Sequence, residues 1–101
     1  MTLKYRFSRK AEADLEGILD FSHQRWGPDR TLAYLDDMQD RVIWLTRNPD
    51  AGRRRDALLA GIRSYPQGRH LLYYLADGEE LVILRILHQS AEPPTEDEIA
   101  P

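Results

Sequence analysis

The chain has no cysteine. That excludes a disulfide framework and any thiolate metal site, and it suits a reducing, cytoplasmic setting. Long apolar runs are also absent; nothing approaches the roughly 20 residues a membrane-spanning helix needs. The opening residues, Met1-Thr2-Leu3-Lys4-Tyr5-Arg6, place charges at alternate positions, so no signal peptide is expected. Neither the phosphate-loop nor the dinucleotide fingerprint occurs. The histidines, His23, His70 and His88, have no neighbouring carboxylate at ligand spacing, whereas zinc needs three or four ligands. No metal and no cofactor is therefore expected. The serines Ser8, Ser22, Ser64 and Ser90 lack a nucleophile-elbow context, and carboxylate pairs such as Asp36-Asp37 are most simply solvating groups on a helix surface.

What is present suffices for one domain. The chain has 101 residues, of which 42% are hydrophobic, enough for a single modest core. The net charge of −3 is unevenly spread. Residues 41–70 carry seven arginines against Asp50 and Asp56, whereas residues 89–101 carry Glu92, Glu96, Asp97 and Glu98 and nothing basic. A cationic middle and an acidic end result. The middle is either ordinary solvated surface or a docking face for an acidic partner or a phosphate backbone.

Periodicity sets the elements. Leu3, Tyr5 and Phe7 alternate with Thr2, Lys4 and Arg6, the pattern of a half-buried strand. Ser8 then stands where a helix N-cap belongs, with Glu12 in the first turn. A helix is predicted over about 9–25, with Ala11, Leu15, Ile18, Leu19 and Ser22 on its inner face and Asp14, Glu16, Asp20 and Arg25 toward water. Gly27-Pro28 ends it and opens a second helix over about 29–47. The stripe of that helix is Leu35, Met38, Val42 and Leu45, and Asn48-Pro49 stops it. Burial of these four side chains contributes on the order of 6–12 kcal/mol before entropy is set against it, so the stripe must face the core. Trp44 lies about 160° from its centre by helical geometry. Either a loop or the chain end covers it, or a partner does.

Residues 49–60 read as a polar loop containing Gly52-Arg53-Arg54-Arg55-Asp56, a solvated connector or a site for phosphate or acidic side chains. Three strands are predicted after it, over 61–65, 69–76 and 80–88. Asp77-Gly78 is a hairpin signal. With those two residues as the turn, His70 faces Arg85, Leu72 faces Ile83, Tyr74 faces Leu81, and Arg69 pairs with Ile86. The run Leu81-Val82-Ile83-Leu84 suggests a strand covered on both sides. Residues 91–101, with Pro93-Pro94 and the acidic cluster, read as an irregular tail outside a single domain spanning 1–90.

The candidate chemistry is one face holding Arg63, His70, Arg85 and His88. Such a set either cleaves RNA, with a base, an acid and charge for the phosphorane, or consists of strand-end groups making local hydrogen bonds.

Several strings, in order, resemble the ParE family of the RelE/ParE superfamily. They are Ala13-Asp14-Leu15-Glu16-Gly17-Ile18, Arg25-Trp26-Gly27, Asn48-Pro49-Asp50-Ala51-Gly52-Arg53, Ile62 through Tyr74, and Ile83-Leu84-Arg85-Ile86-Leu87-His88. The resemblance covers about residues 3–90. It implies an α+β fold of RelE/ParE type: an N-terminal strand, an α-helical hairpin and a three-stranded antiparallel sheet, in the order β-α-α-β-β-β. It also implies the toxin of a type II toxin–antitoxin pair. Such a toxin poisons DNA gyrase, here expected through the A subunit, and a ParD-type antitoxin wraps and neutralises it. It would meet DNA only through the antitoxin or gyrase, without a membrane partner.

The sibling branch, the ribosome-dependent RelE ribonucleases, is the alternative. That branch has an arginine where His70 stands and further basic residues after the last strand, where this sequence is acidic. On the gyrase reading the chain is not an enzyme. Its expected target contacts are Arg63, Arg69, Arg85 and His88, and its expected antitoxin contacts are Trp44, Arg53, Arg54 and Arg55. On the ribonuclease reading the catalytic set is Arg63, His70, Arg85 and His88.

Overall fold

The computed structural model describes residues 2–100. Its elements are β1 (Lys4–Phe7), α1 (Arg9–Trp26), α2 (Pro28–Arg47), β2 (Arg53–Arg54), β3 (Ile62–Gln67), β4 (His70–Asp77), β5 (Glu80–His88) and α3 (Glu96–Ile99). Ser8 caps α1 by accepting the Ala11 N–H through its side chain, and the Ser8 hydroxyl donates to the Leu84 carbonyl at 2.8 Å. One serine thus starts a helix and fastens it to the sheet.

The sheet has five strands in the order β1-β5-β4-β3-β2. All neighbours are antiparallel except β1, which lies parallel to β5. Two elements depart from the sequence reading. Part of the arginine loop forms the edge strand β2, with Arg53 opposite Ser64 and Arg54 opposite Arg63. The tail, expected to be irregular, forms α3. Thr95 and Glu98 make a reciprocal capping box at its start, a motif that satisfies two free N–H groups at once. Ile99 is fully buried, which anchors the turn to the sheet.

The β4–β5 register also differs. Asp77 pairs with Glu80 and Tyr74 with Ile83, so the turn is Gly78-Glu79. Gly78 has φ 61° and, among the described residues, no non-glycine residue has positive φ, which fits a two-residue hairpin turn with glycine first. A bulge between Tyr73 and Tyr74 then moves the pairing one further residue, so that His70 faces His88 rather than Arg85. The bulge also changes the faces of β5. Leu81, Ile83 and Ile86 all belong to the core under the helices, with Leu72, Tyr74, Met38, Val42 and Leu45. Val82 and Leu84 face the opposite side, with Ile62, Tyr73 and Ile99. An extra residue in a strand reverses the alternation beyond it.

Both faces of the sheet are therefore covered, as the apolar run in β5 predicts. The helical hairpin covers one. Leu58 and Leu59 of the β2–β3 connection and Ile99 of α3 pack on the other.

Candidate functional site

The four residues expected on one face occupy three different environments. Arg63, on β3, turns toward the loop after α2. Its guanidinium donates to the Gly52 carbonyl at 2.9 Å and the Asp50 carbonyl at 3.3 Å, and it lies 3.6 Å from the Asp50 carboxylate. Tyr74, opposite Arg63, holds the same loop from inside. Its hydroxyl donates to the Pro49 carbonyl at 2.7 Å and accepts the Gly52 N–H at 2.9 Å. A Cβ on Gly52 would lie 2.5 Å from that oxygen, so only glycine allows the approach. Burial raises the Tyr74 phenol above its usual value, which keeps the hydroxyl protonated as a donor.

Arg85 faces α1. It makes a two-point bond to Asp14 at 2.7 and 2.9 Å, and Asp14 also accepts the Ile86 N–H at 3.0 Å. Another guanidinium nitrogen donates to the Glu98 carbonyl at 3.0 Å. The pair is largely shielded, with side-chain exposures of 17% and 14%. The hydrogen bond that Arg85 donates to Asp14 raises the Arg85 pKa further. Asp14, expected to point into water, is instead the group that joins α1 to β5, and Arg85 carries the link on to α3.

His70 and His88 meet at the far end of the sheet, with ring centroids 5.5 Å apart and planes at 81°. The Tyr34 hydroxyl bonds His70 Nδ1 and accepts the Arg69 N–H at 3.2 Å. His88 Nδ1 pairs with the Ser90 hydroxyl at 2.7 Å. His70 titrates below the ordinary histidine value, chiefly because it is buried and secondly because His88 repels its charge, with Asp14 acting weakly the other way. It is neutral near pH 7. Tyr74, Arg63's partner, is four residues from His70, about 13 Å at the rise of a strand. The histidine pair and Arg63 therefore lie well apart along β4, one at its start and the other beside its middle.

The histidine end opens into a cleft of about 1030 Å³ between α1, α2 and the β3–β4 turn. Ile18, Ala33 and Ile86 contribute apolar lining, and Arg25, Arg30 and Arg69 bring positive charge. These arginines lie against aromatic rings. Arg30 and Arg69 stand 5.6 and 5.8 Å from the centre of Trp26, and Arg25 stands 6.0 Å from Phe21.

Of the residues expected to meet an antitoxin, Trp44 is 38% exposed. Tyr65 of β3 packs at 5.3 Å, and Arg41 lies 4.9 Å from the Trp44 ring and 5.0 Å from the Tyr65 ring. Arg53 and Arg54 are exposed on the edge strand, with Arg54 2.7 Å from Asp56. Arg55 turns inward and donates to Ser64 at 2.9 Å.

Sequence reasoning missed Asp14, Tyr34 and Tyr74. For Tyr74 a signal existed: it shares the inner face of β4 with Leu72, and a buried tyrosine needs a partner for its hydroxyl. Asp14 and Tyr34 had no such signal, because their partners are 71 and 36 residues away.

A helical hairpin packed on one face of a small, mostly antiparallel sheet is the RelE/ParE arrangement. The family model for the ParE toxin of the type II toxin–antitoxin system parDE matches residues 5–93, and the chain belongs to that family. It is 37% identical to Toxin ParE1 of Caulobacter vibrioides over 86 residues, covering 85% of this chain and 88% of that protein. It is also 37% identical to Toxin ParE1 of Mycobacterium tuberculosis strain H37Rv over 90 residues, covering 88% and 92%. Among solved structures it is similar to a chain of the chromosomal ParDE system from P. aeruginosa, with TM-score 0.71, 27% identity, and 86% of this chain and 96% of that one covered. A chain of the RelBE2 toxin–antitoxin complex from M. tuberculosis aligns with TM-score 0.59 and 29% identity, covering 88% and 100%.

Proposed function

We propose that this toxin arrests growth by binding DNA gyrase, through its A subunit, and that a ParD-type antitoxin neutralises it in the cytoplasm. One observation carries the choice of binding over RNA cleavage. Arg85 is engaged by Asp14 and Glu98, and Arg63 by the carbonyls of the 49–52 loop. The two arginines that a ribonuclease would aim at the phosphorane serve the fold instead. Among the expected target contacts, Arg69 and His88 are exposed and form the recognition patch; Arg63 and Arg85 hold its frame.

The antitoxin reading rests on Trp44, Arg53 and Arg54. A Trp–Arg–Tyr stack has the residue types that dominate interface energetics, and an exposed arginine edge strand favours an acidic, extended partner. Supercoiling and DNA-cleavage assays with purified gyrase test the target. Loss of supercoiling and trapped breaks, both weakened in Arg69→Ala, are expected. A full dose that changes neither defeats the proposal.

The ribonuclease alternative keeps one observation in its favour, the neutral His70 ring beside His88. If it holds, toxin added to a translation extract cuts messenger, and His88→Ala abolishes the cutting.

A further inference from the structure

Cavities, side-chain clusters and exposed patches across the molecule single out the cleft at the histidine end. Three features coincide there. First, the ion pairs among the described residues engage Arg6, Arg54, Arg63 and Arg85, none of which is a cleft arginine; Arg25, Arg30 and Arg69 keep their charge available. Second, each of these three guanidinium groups lies over an aromatic ring, two of them over Trp26. Phe21, at 6.3 Å edge-on to Trp26, is itself 59% exposed. Third, the cleft lining carries the Tyr34–His70 hydrogen bond and the His88 ring, polar groups suited to the edge of a flat ligand.

We propose that this cleft binds nucleotides, with the base stacked on the Phe21–Trp26–arginine platform and the phosphates on Arg25, Arg30 and Arg69. Flat aromatic and guanidinium faces beside positive charge are what unpaired bases and their phosphates require. An acidic peptide would use the same charges but would gain little from the stacked planes. The acids that line the cleft do not cancel the field: Asp14 is neutralised by Arg85, which leaves Asp37 against three arginines. The volume of about 1030 Å³ stands at the upper end for small-ligand sites, room for more than one nucleotide unit. The ligand is a free nucleotide or a single-stranded segment, and the site requires no cleavage of it.

The test uses the full chain carrying Trp44→Phe, which leaves Trp26 as its tryptophan. Fluorescence is followed during titration with AMP and with a short oligo-dT, which lacks the 2′-hydroxyl needed for self-cleavage. Saturable quenching is expected with at least one. Equal affinity per molecule marks a free-nucleotide site, and tighter oligomer binding marks a strand site. For the oligomer, three phosphate contacts predict a slope of log affinity against log salt of about −2. The pair Arg30→Gln with Arg69→Gln should weaken binding about tenfold or more, and Arg47→Gln, at the exposed end of α2, less than twofold. The pair Arg30→Lys with Arg69→Lys keeps charge but loses the planar group, and should weaken binding about threefold. The proposal is overturned by absence of saturable quenching, by equal losses in Arg47→Gln, by Lys variants that bind like the parent, or by polyglutamate that binds more tightly than either nucleotide ligand.

Discussion

Two stretches of β4, around Tyr74 and around His70, use the same residue types to opposite effect. At the Tyr74 end, a buried phenol and Arg63 tie the 49–52 loop to the sheet through carbonyls and an N–H. At the His70 end, the phenol of Tyr34 meets an imidazole, and the arginines lie on rings beside an open cleft. Where cations are consumed by backbone carbonyls, they serve stability. Where they rest on aromatic faces they remain exchangeable, and that is where we propose recognition.

That contrast can be broken or sharpened by substitution. Tyr74→Ala should cost the most, about 3–5 kcal/mol in urea unfolding, because it empties a core position and frees the loop. A loss below about 1 kcal/mol would mean that the loop does not depend on Tyr74. Asp14→Ala leaves Arg85 largely shielded without its partner and should cost about 3 kcal/mol by the same measurement. An unchanged midpoint would return Arg85 to the pool of free cations and weaken the case against RNA cleavage.

Ile99→Ala should cost about 2 kcal/mol locally. Hydrogen exchange should then quicken in residues 95–100 while β4 and β5 stay protected. Uniform acceleration would show that α3 is part of the global unit.

The histidine end should respond to pH. His70 titrates below its ordinary value near 6.5, so the unfolded chain binds the proton more readily. The stability from a neutral His70 is complete above 6.5 and is lost as pH falls from there toward the lowered folded value. Urea midpoints from pH 7.5 to 5.5 should fall in the parent and fall less in His70→Gln; parallel curves would reject this source. Arg53→Ala, on the exposed edge, should change stability by less than about 0.5 kcal/mol. A larger loss would give the edge arginine a structural role and blur the division between the two kinds of cation.

Local chemistry was legible wherever a short stretch carries its own signal. The Ser8 cap, the Gly27-Pro28 boundary and the α2 stripe each specify an element through neighbours a few residues away, and both long helices fall within a residue or so of their expected bounds. The hairpin was legible in place but not in register. A DG pair is compatible with a turn at Asp77-Gly78 or at Gly78-Glu79, and the bulge at Tyr73/Tyr74 depends on packing from both faces. The tail misled because its acidic composition outweighs one apolar residue in a reading by averages. Ile99 on a prepared apolar face, with Arg85 and Lys10 donating to the tail carbonyls, holds the segment in place.

By itself, then, the order of residues determined two amphipathic helices, the strands that follow them, and an arginine-rich middle, since these rest on period, caps and composition. Tertiary structure alone decided which arginines are free. Arg85 meets Asp14 across 71 residues, while Arg30 and Arg69 converge on Trp26 from a helix and a turn. Such pairings depend on how the hairpin seats on a bulged sheet, a geometry that nearest-neighbour preferences do not encode.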